Sequence, residues 1–268
     1  MRAVTIVATA AALAVLSAPA TAQSFAELIA LGDSAHTRLR PEEALEHYRA
    51  ALALQPTSYE AMWKLARSQI DVAKQILDDS REAHRDSLYG VAVAVAASAV
   101  QLDSTDAEGH FVLATAIGRH SRTKGGKERV QFGGEIYDEG ANALALNPDH
   151  DGAHHVIGAW HAEIKRLSGV ARFFARTFMG GGYMGKASWD SAVVHLERAV
   201  EIKPDYVYHH LELAEILIDL DRYSEARQQL QTVLDLPVSE VLDPVHKETA
   251  ARLIEEIRGR TDPGGSGS

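Results

Sequence analysis

The stretch that decides the fold runs from Phe25 to Pro56 and reads FAELIALGDSAHTRLRPEEALEHYRAALALQP. Counted from Phe25, Leu28 and Leu31 stand at the fourth and seventh places and Gly32 at the eighth. Ala44, Tyr48 and Ala51 stand at the twentieth, twenty-fourth and twenty-seventh, and Pro56 at the thirty-second. This spacing describes two helices, each with one apolar stripe, folded back on each other. The small residues Gly32, Ala44 and Ala51 let the two axes approach closely. Pro41 opens the second helix with Glu42 and Glu43 behind it, a fixed φ and two negative charges at the positive helix end. Pro56 stops it, because proline cannot continue a helix. Only Ala35, at the eleventh place, fits weakly.

The pattern recurs along the chain. From Val207, residues His210, Leu213, Ala214 and Leu217 take the first-helix places, and Ala226, Leu230 and Val233 the second-helix ones. Three longer units lie between. Their first helices carry Met62, Leu65 and Ala66, then His110, Leu113 and Ala114, then His154, Ile157 and Gly158. Their second helices carry Ala92, Ala96 and Ala99, then Ile136, Gly140 and Ala143, then Ala192, Leu196 and Ala199. The stop markers Pro56, Ser104, Pro148 and Pro204 are 48, 44 and 56 residues apart. A 34-residue helical hairpin, repeated with insertions of 14, 10 and 22 residues in the three middle units, identifies the chain as resembling the tetratricopeptide-repeat proteins. The expectation is an all-α, right-handed solenoid with hairpins at 25–58, 59–106, 107–150, 151–206 and 207–240. Asp243 to Arg258 is expected to close it, with Ala250, Leu253, Ile254 and Ile257 on the inner face. Residues 261–268 read as a disordered Gly/Ser tail.

The first 22 residues are expected to lie outside the 23–260 repeat domain. Arg2 precedes the apolar run Ala3 to Leu16, and Ala20-Thr21-Ala22 presents small residues where a signal peptidase reads. Cleavage after Ala22 would leave Gln23 first and place the product outside the cytoplasm, periplasmic or secreted. The alternative is an uncleaved anchor, for which the run falls short of the ~20 residues that span a bilayer. The formal charge of −10 argues against nucleic acid as a partner, since phosphate binding needs a positive surface. There is no cysteine, which excludes disulfides, thiolate metal sites and cysteine nucleophiles.

The middle of the chain narrows the resemblance. Asn147-Pro148, His154-His155, Ile157-Gly158-Ala159-Trp160, then Arg172, Ala175 and Phe178 are similar to the regulator of microtubule dynamics family, over roughly residues 107–240. The resemblance implies a tetratricopeptide domain and, from animal members linked to membrane contact sites, binding of lipid or peptide. Ala159 stands where that family usually has a basic residue, and an exported chain does not meet tubulin. No microtubule function is therefore expected.

Catalytic and metal signals are weak. Gly180 to Ala187 spaces Gly180, Gly185 and Lys186 as a phosphate-binding loop does. Ala187 replaces the required Ser or Thr, and the preceding Val170 to Met179 reads as helix rather than strand. The expectation is an inter-helix loop, with a helix ending near Gly180 and Ser188 capping the next. His110, His154 and His210 occupy the fourth place of their repeats and His161 the eleventh. No third and fourth ligand accompanies them, so they are expected to be satisfied interior histidines. No Gly-x-Ser-x-Gly elbow occurs. No catalytic residue, metal or cofactor is assigned.

The groove carries the functional reading. In this repeat the second, fifth, ninth, twelfth and thirteenth places face the concave side. The fifth place reads Ile29, Trp63, Phe111, His155 and Leu211 along the stack. A solvated face is polar, so this stripe marks a ligand surface. The alternative is that inserted segments cross it and bury it as core. The Lys-and-Asn clamp that holds acidic peptide ends in some relatives is excluded by Ile29 and Asp33.

Two stretches oppose the acidic average. Arg119 to Arg129 holds Arg119, Arg122, Lys124, Lys127 and Arg129 against Glu128. Glu163 to Met179 holds Lys165, Arg166, Arg172 and Arg176 beside Ile164, Leu167, Val170, Phe173, Phe174 and Phe178. The second is an amphipathic helix, expected to pack on the solenoid with its charges in water rather than to meet a membrane. Arg119, Lys127, Arg129, Arg166, Arg172 and Arg176 are candidate head-group or anion contacts. The chain is thus expected to be a non-enzymatic scaffold holding a peptide or protein in the concave face. The alternative is a carrier of a lipid or other apolar ligand under the inserted helices, and a weaker one is a hydrolase.

Overall fold

The protein was studied as a computed structural model, which describes residues 23–263. The proposed signal segment 1–22 and the tail beyond residue 263 lie outside the described residues. Among those described there are twelve α-helices and no strand. They are α1 (Phe25–Thr37), α2 (Pro41–Leu54), α3 (Tyr59–Lys74), α4 (Glu82–Leu102), α5 (Ala107–Ser121) and α6 (Gly126–Leu146). α7 (Asp151–Arg166), α8 (Gly169–Phe178), α9 (Trp189–Ile202), α10 (Val207–Asp219), α11 (Tyr223–Asp235) and α12 (Asp243–Glu256) follow. The helices pair as α1/α2, α3/α4, α5/α6, α7/α9 and α10/α11, and α12 covers the last pair. This is an all-α tetratricopeptide-repeat solenoid.

Local chemistry sets the helix starts. Ser24 accepts from the Glu27 backbone N–H at 3.2 Å while Glu27 accepts from the Ser24 N–H at 2.8 Å, so each satisfies one orphan donor. Ser58, Asp106, His150, Ser168 and Ser188 cap α3, α5, α7, α8 and α9. α11 has no cap of its own. Asp262 supplies one, accepting from the Ser224 backbone N–H at 3.0 Å.

The two uninterrupted hairpins turn in the same way. Leu39 and Asp221 both adopt left-handed backbone, at φ 57° and 58°, in the three-residue connections 38–40 and 220–222. The small residues act as the pattern requires. Ala44 and Ala51 are fully buried, and a Cβ at Gly32 would overlap the Tyr48 ring. The extra length of the middle repeats takes different forms. In the second and third it lengthens the second helix, since α4 and α6 have 21 residues each, and in the second it also lengthens α3 and the connection 75–81. In the fourth it makes α8 and the short 3-10 helix Gly182–Lys186.

α8 departs from expectation. Its apolar residues do not pack on the solenoid: Val170 is 68%, Phe173 61%, Phe174 51% and Phe178 67% exposed. The reason is geometric. Only Ala175 is buried, and α8 makes its principal packing contacts with the following 3-10 turn rather than with the stack.

Candidate functional site

The inner faces of α3, α5 and α7 line a cavity of about 810 Å³. The start of α6 and the segment Tyr206–His209 form its sides, and Ala171, Phe174 and Ala175 of α8 lie over one end. That roof is anchored from below. Val130, Trp160, Ile164, Ala175 and Met184 form a small core of their own. Trp160 Nε1 donates to the Gly133 carbonyl at 2.6 Å, and the Tyr183 hydroxyl donates to the Val130 carbonyl. A Cβ at Gly133 would overlap that hydroxyl, so glycine there lets the roof sit down on α6.

The stripe at the fifth place divides. Phe111 and His155 line the cavity. Ile29 and Leu211, expected in the groove, are instead 7% and 3% exposed. The correction has a simple cause: α3 covers Ile29, and Leu211 belongs to the core shared by α9–α12. Trp63 is half-buried against the core of α3–α5, with the Arg67 guanidinium 4.9 Å above its ring, and does not line the cavity.

The basic residues divide too. Arg119 and Arg129 line the cavity, while Lys127 is exposed outside it. Arg166 is committed elsewhere, with Nε 2.8 Å from Asp219 and Nη1 3.5 Å from Glu212 and 3.2 Å from Glu163. Arg172 donates to the Lys165 and Ile164 carbonyls at 2.8 and 3.3 Å, closing the end of α7. Arg176, with Arg172 and Phe173, borders a separate surface hollow of about 540 Å³. Two further arginines, not expected from the sequence, line the cavity: Arg67, at the ninth place of its repeat, and Arg122, three residues past Arg119.

These four arginines are the site's main electrostatic feature. Arg85, Arg166, Arg198 and Arg222 all have carboxylate partners elsewhere. Among the described residues, Arg67, Arg119, Arg122 and Arg129 have none. Arg67 Nε is buried without a hydrogen-bond partner, and the Arg119 guanidinium stands 5.9 Å from the centre of the Tyr208 ring. Of the cavity's acids, Asp71 pairs with Lys74, Glu108 with His150, Asp151 with His209 and Glu163 with Arg166, whereas Glu240 has no ion-pair partner among the described residues and burial raises its pKa. Unpaired positive charge next to apolar surface fits a ligand with an anionic group and an apolar part.

The cavity histidines wedge repeats together. His209 Nε2 donates to Asp151 at 3.0 Å, which leaves its Nδ1 to accept from His155 Nδ1 at 3.0 Å. Burial, then the nearby charges of His209 and Arg119, hold His155 well below the ordinary histidine range. Burial alone would raise Asp151, but the His209 hydrogen bond and charge outweigh it and hold the carboxyl at about 2.

The histidines at the fourth place share another task. His110 Nε2 lies 3.2 Å from the Ser104 carbonyl, His154 Nε2 2.9 Å from that of Pro148, and His210 Nε2 2.8 Å from that of Pro204. Each reaches back six residues, to the stop marker of the preceding repeat. The other ring nitrogen meets Glu139, His195 or Gln229 on the second helix of its own hairpin. These are satisfied structural groups, as the sequence suggested.

The glycine-rich stretch forms the connection between α8 and α9, most of it as the 3-10 turn Gly182–Lys186. Gly180 takes φ +81°, Gly181 N–H donates to the Ala175 carbonyl at 3.0 Å, and Ser188 caps α9. Lys186 stands 4.5 Å over the Tyr137 ring.

The fold thus defines a tetratricopeptide-repeat solenoid with a lined concave groove. The family model for regulator of microtubule dynamics proteins 1-3 matches residues 28–258, well beyond the stretch that first showed the likeness, and the chain belongs to that family. It is 24% identical to regulator of microtubule dynamics protein 3 of Bos taurus over 177 residues, 66% of this chain and 36% of the relative. It is also 24% identical to protein 1 of Bos taurus over 204 residues, 76% of this chain and 62% of the relative. The chain therefore spans less than two thirds of these relatives' length. Among solved structures it is similar to a thermophilic tetratricopeptide-repeat protein of Thermus thermophilus, with a TM-score of 0.63 and 20% identity over 85% of this chain and all of that one. PilF of Pseudomonas aeruginosa gives a TM-score of 0.51 at 17% identity, over 87% of this chain and 86% of that one.

Proposed function

We propose that this protein is a non-enzymatic scaffold that holds a segment of a peptide or protein partner in its concave groove. The segment presents an acidic group to Arg67, Arg119, Arg122 and Arg129 and seats an apolar side chain near Phe111. The carrying observation is the absence of any carboxylate partner for these four arginines, among the described residues, in a chain of net charge −10. Arg67 and Arg119 are partly buried and Arg122 and Arg129 exposed at the cavity's edge. Partly desolvated guanidinium groups want a charged or hydrogen-bonding partner, and a ligand's carboxylate or phosphate supplies it.

A second reading, a lipid carrier, has its own observation. α8 roofs the apolar end of the cavity, and an amphiphile with an anionic head would fill both halves. One experiment separates the two. Purified protein is examined by native mass spectrometry for co-purifying lipid, then titrated with labelled acidic-apolar peptides. The scaffold reading expects peptide binding that weakens steeply with salt and falls about tenfold or more in Arg119→Gln. A stoichiometric phospholipid adduct that blocks peptide binding would favour the carrier, and unchanged affinity in Arg119→Gln would remove the groove assignment.

We further propose that the partner is met outside the cytoplasm, on the reading of Arg2 to Ala22 as a cleaved signal. N-terminal sequencing of protein from its native host should begin at Gln23; an intact Met1 form in the cytoplasm would exclude this.

A further inference from the structure

α8 presents a face that nothing in the described structure covers. Val170, Phe173, Phe174 and Phe178 recur at the three- and four-residue steps of one helical stripe, and Leu167 extends it at the helix start. All five are exposed. Phe174 stacks edge-on and offset with its neighbours, 5.8 Å from Phe173 and 5.7 Å from Phe178 between ring centres. Three adjacent phenylalanines in water form an apolar patch too large to be incidental.

Charge says what covers it. From Ile164 to Trp189 the chain has five cations (Lys165, Arg166, Arg172, Arg176 and Lys186) and not one acid. The protein as a whole has 37 acids against 27 Lys and Arg, so this stretch runs against its balance. Arg166 is neutralised by Glu163, Glu212 and Asp219. Lys165, Arg172, Arg176 and Lys186 have no carboxylate partner among the described residues. Arg172 and Arg176 are one turn apart and border the hollow beside Phe173, so positive charge rims the aromatic patch.

The helix is also held in position to present that face. Ser168 caps its start, accepting from the Ala171 N–H at 3.1 Å. Arg172 ties it to the end of α7 and Gly181 closes its end on Ala175. The alanine side, Ala171 and Ala175, is turned to the groove, and Leu167 and Phe174 reach its rim, while Val170, Phe173 and Phe178 lie outside it.

We propose that α8 is a peripheral docking helix for an anionic lipid surface, its phenylalanines entering the acyl boundary and its cations meeting the head groups. Apolar aromatics bordered by arginine and free of acidic residues are what such an interface selects. A protein partner of ordinary composition offers less to that combination, and a second copy of this chain is an outcome that the test separates. No described helix is long and apolar enough to cross a membrane, so the contact is an attachment in the interface plane. Val170, Phe173 and Phe178 lie outside the groove lining, so a label at residue 170 reads the surface contact separately from whatever the groove holds.

The test uses the absence of cysteine from the chain. Val170→Cys and, as a control on α2, Leu54→Cys each receive one environment-sensitive fluorophore in the full-length protein. Each is mixed with vesicles of equimolar phosphatidylglycerol and phosphatidylcholine, and with phosphatidylcholine alone. The label at residue 170 should shift to the blue with anionic vesicles and that at residue 54 should not. This local reading is independent of any other segment that binds vesicles. Adding Phe173→Gln and Phe178→Gln should weaken the response about tenfold or more, from the apolar area withdrawn. Because both side chains are exposed, the melting temperature should hold, which keeps the variant interpretable. No shift at residue 170, equal shifts at both labels, a response indifferent to anionic lipid, or a shift that depends on protein concentration without vesicles would each overturn the proposal.

Discussion

His154 and His195 face each other across α7 and α9 with their Nδ1 atoms 2.9 Å apart. His154 Nε2 donates to the Pro148 carbonyl, so its Nδ1 is the acceptor and His195 Nδ1 carries the shared proton. Two protonated rings would place hydrogen against hydrogen. Burial first, then the neighbouring His154 and His161, lowers His195 to about 4. A histidine depressed in the folded state leaves stability intact above its unfolded pKa of about 6.5 and lowers it as pH falls from there towards 4. His195 is partly exposed, so the loss is on the order of 1–2 kcal/mol after discounting for solvent screening. The melting temperature measured between pH 7 and pH 4 should fall, and His195→Gln should flatten that fall. An unchanged slope in the variant would show that the pair does not set the acid response.

Gly158 touches the second helix of its hairpin so closely that an added Cβ would overlap the Leu196 side chain and lie 3.1 Å from the Ala192 carbonyl. A backbone oxygen cannot step aside as a side chain can. Gly158→Leu should therefore cost about 3 kcal/mol, at the upper end of overpacking. Calorimetry should show a clearly lower melting temperature, and Ala159→Leu serves as a contrast on the groove side.

The division of the fifth-place stripe can be measured. Leu211 is core, and Leu211→Ala should cost about 2–5 kcal/mol of stability with ligand retention unchanged in the molecules that remain folded. Phe111 lines the cavity, with its ring 4.7 Å from that of His150. Phe111→Ala should destabilise less than Leu211→Ala but lower affinity for the groove ligand about tenfold or more. Equal destabilisation with undiminished binding would move Phe111 into the core.

The hairpins were legible because their signals are local. Ala44, Ala51, Gly158 and Pro148 are set by contacts within one repeat or across one junction, and a fixed spacing displays them. The groove was half legible. The rule that named Phe111 and His155 names the ninth and thirteenth places as well, where Arg67 and Arg119 stand, and following the fifth place alone missed Arg67. Ile29 and Leu211 misled because a stack has ends. At the first and last repeats the concave face is covered by the neighbouring helix, and the same place in the pattern becomes interior. The exposure of α8 was not legible. Its pattern fits equally a helix packed on protein and one facing outward, and only the tertiary position of Ala175 decides.

The connections between one hairpin and the next, up to the start of α10, all have four residues: 55–58, 103–106, 147–150 and 203–206. The connections inside hairpins range from three residues at 38–40 to twenty-two at 167–188. The variation in loop length thus falls along one edge of the stack, while the opposite edge, where the histidines clasp the preceding repeat, is uniform. Such a molecule has a spine and a fringe. The fringe can lengthen, acquire a helix such as α8 or exchange one recognition surface for another without disturbing the register of the helices beneath it. New specificity can therefore be grafted at 122–125 or 167–188 with little penalty, whereas a single residue added at 103–106 would break the stack at its joint.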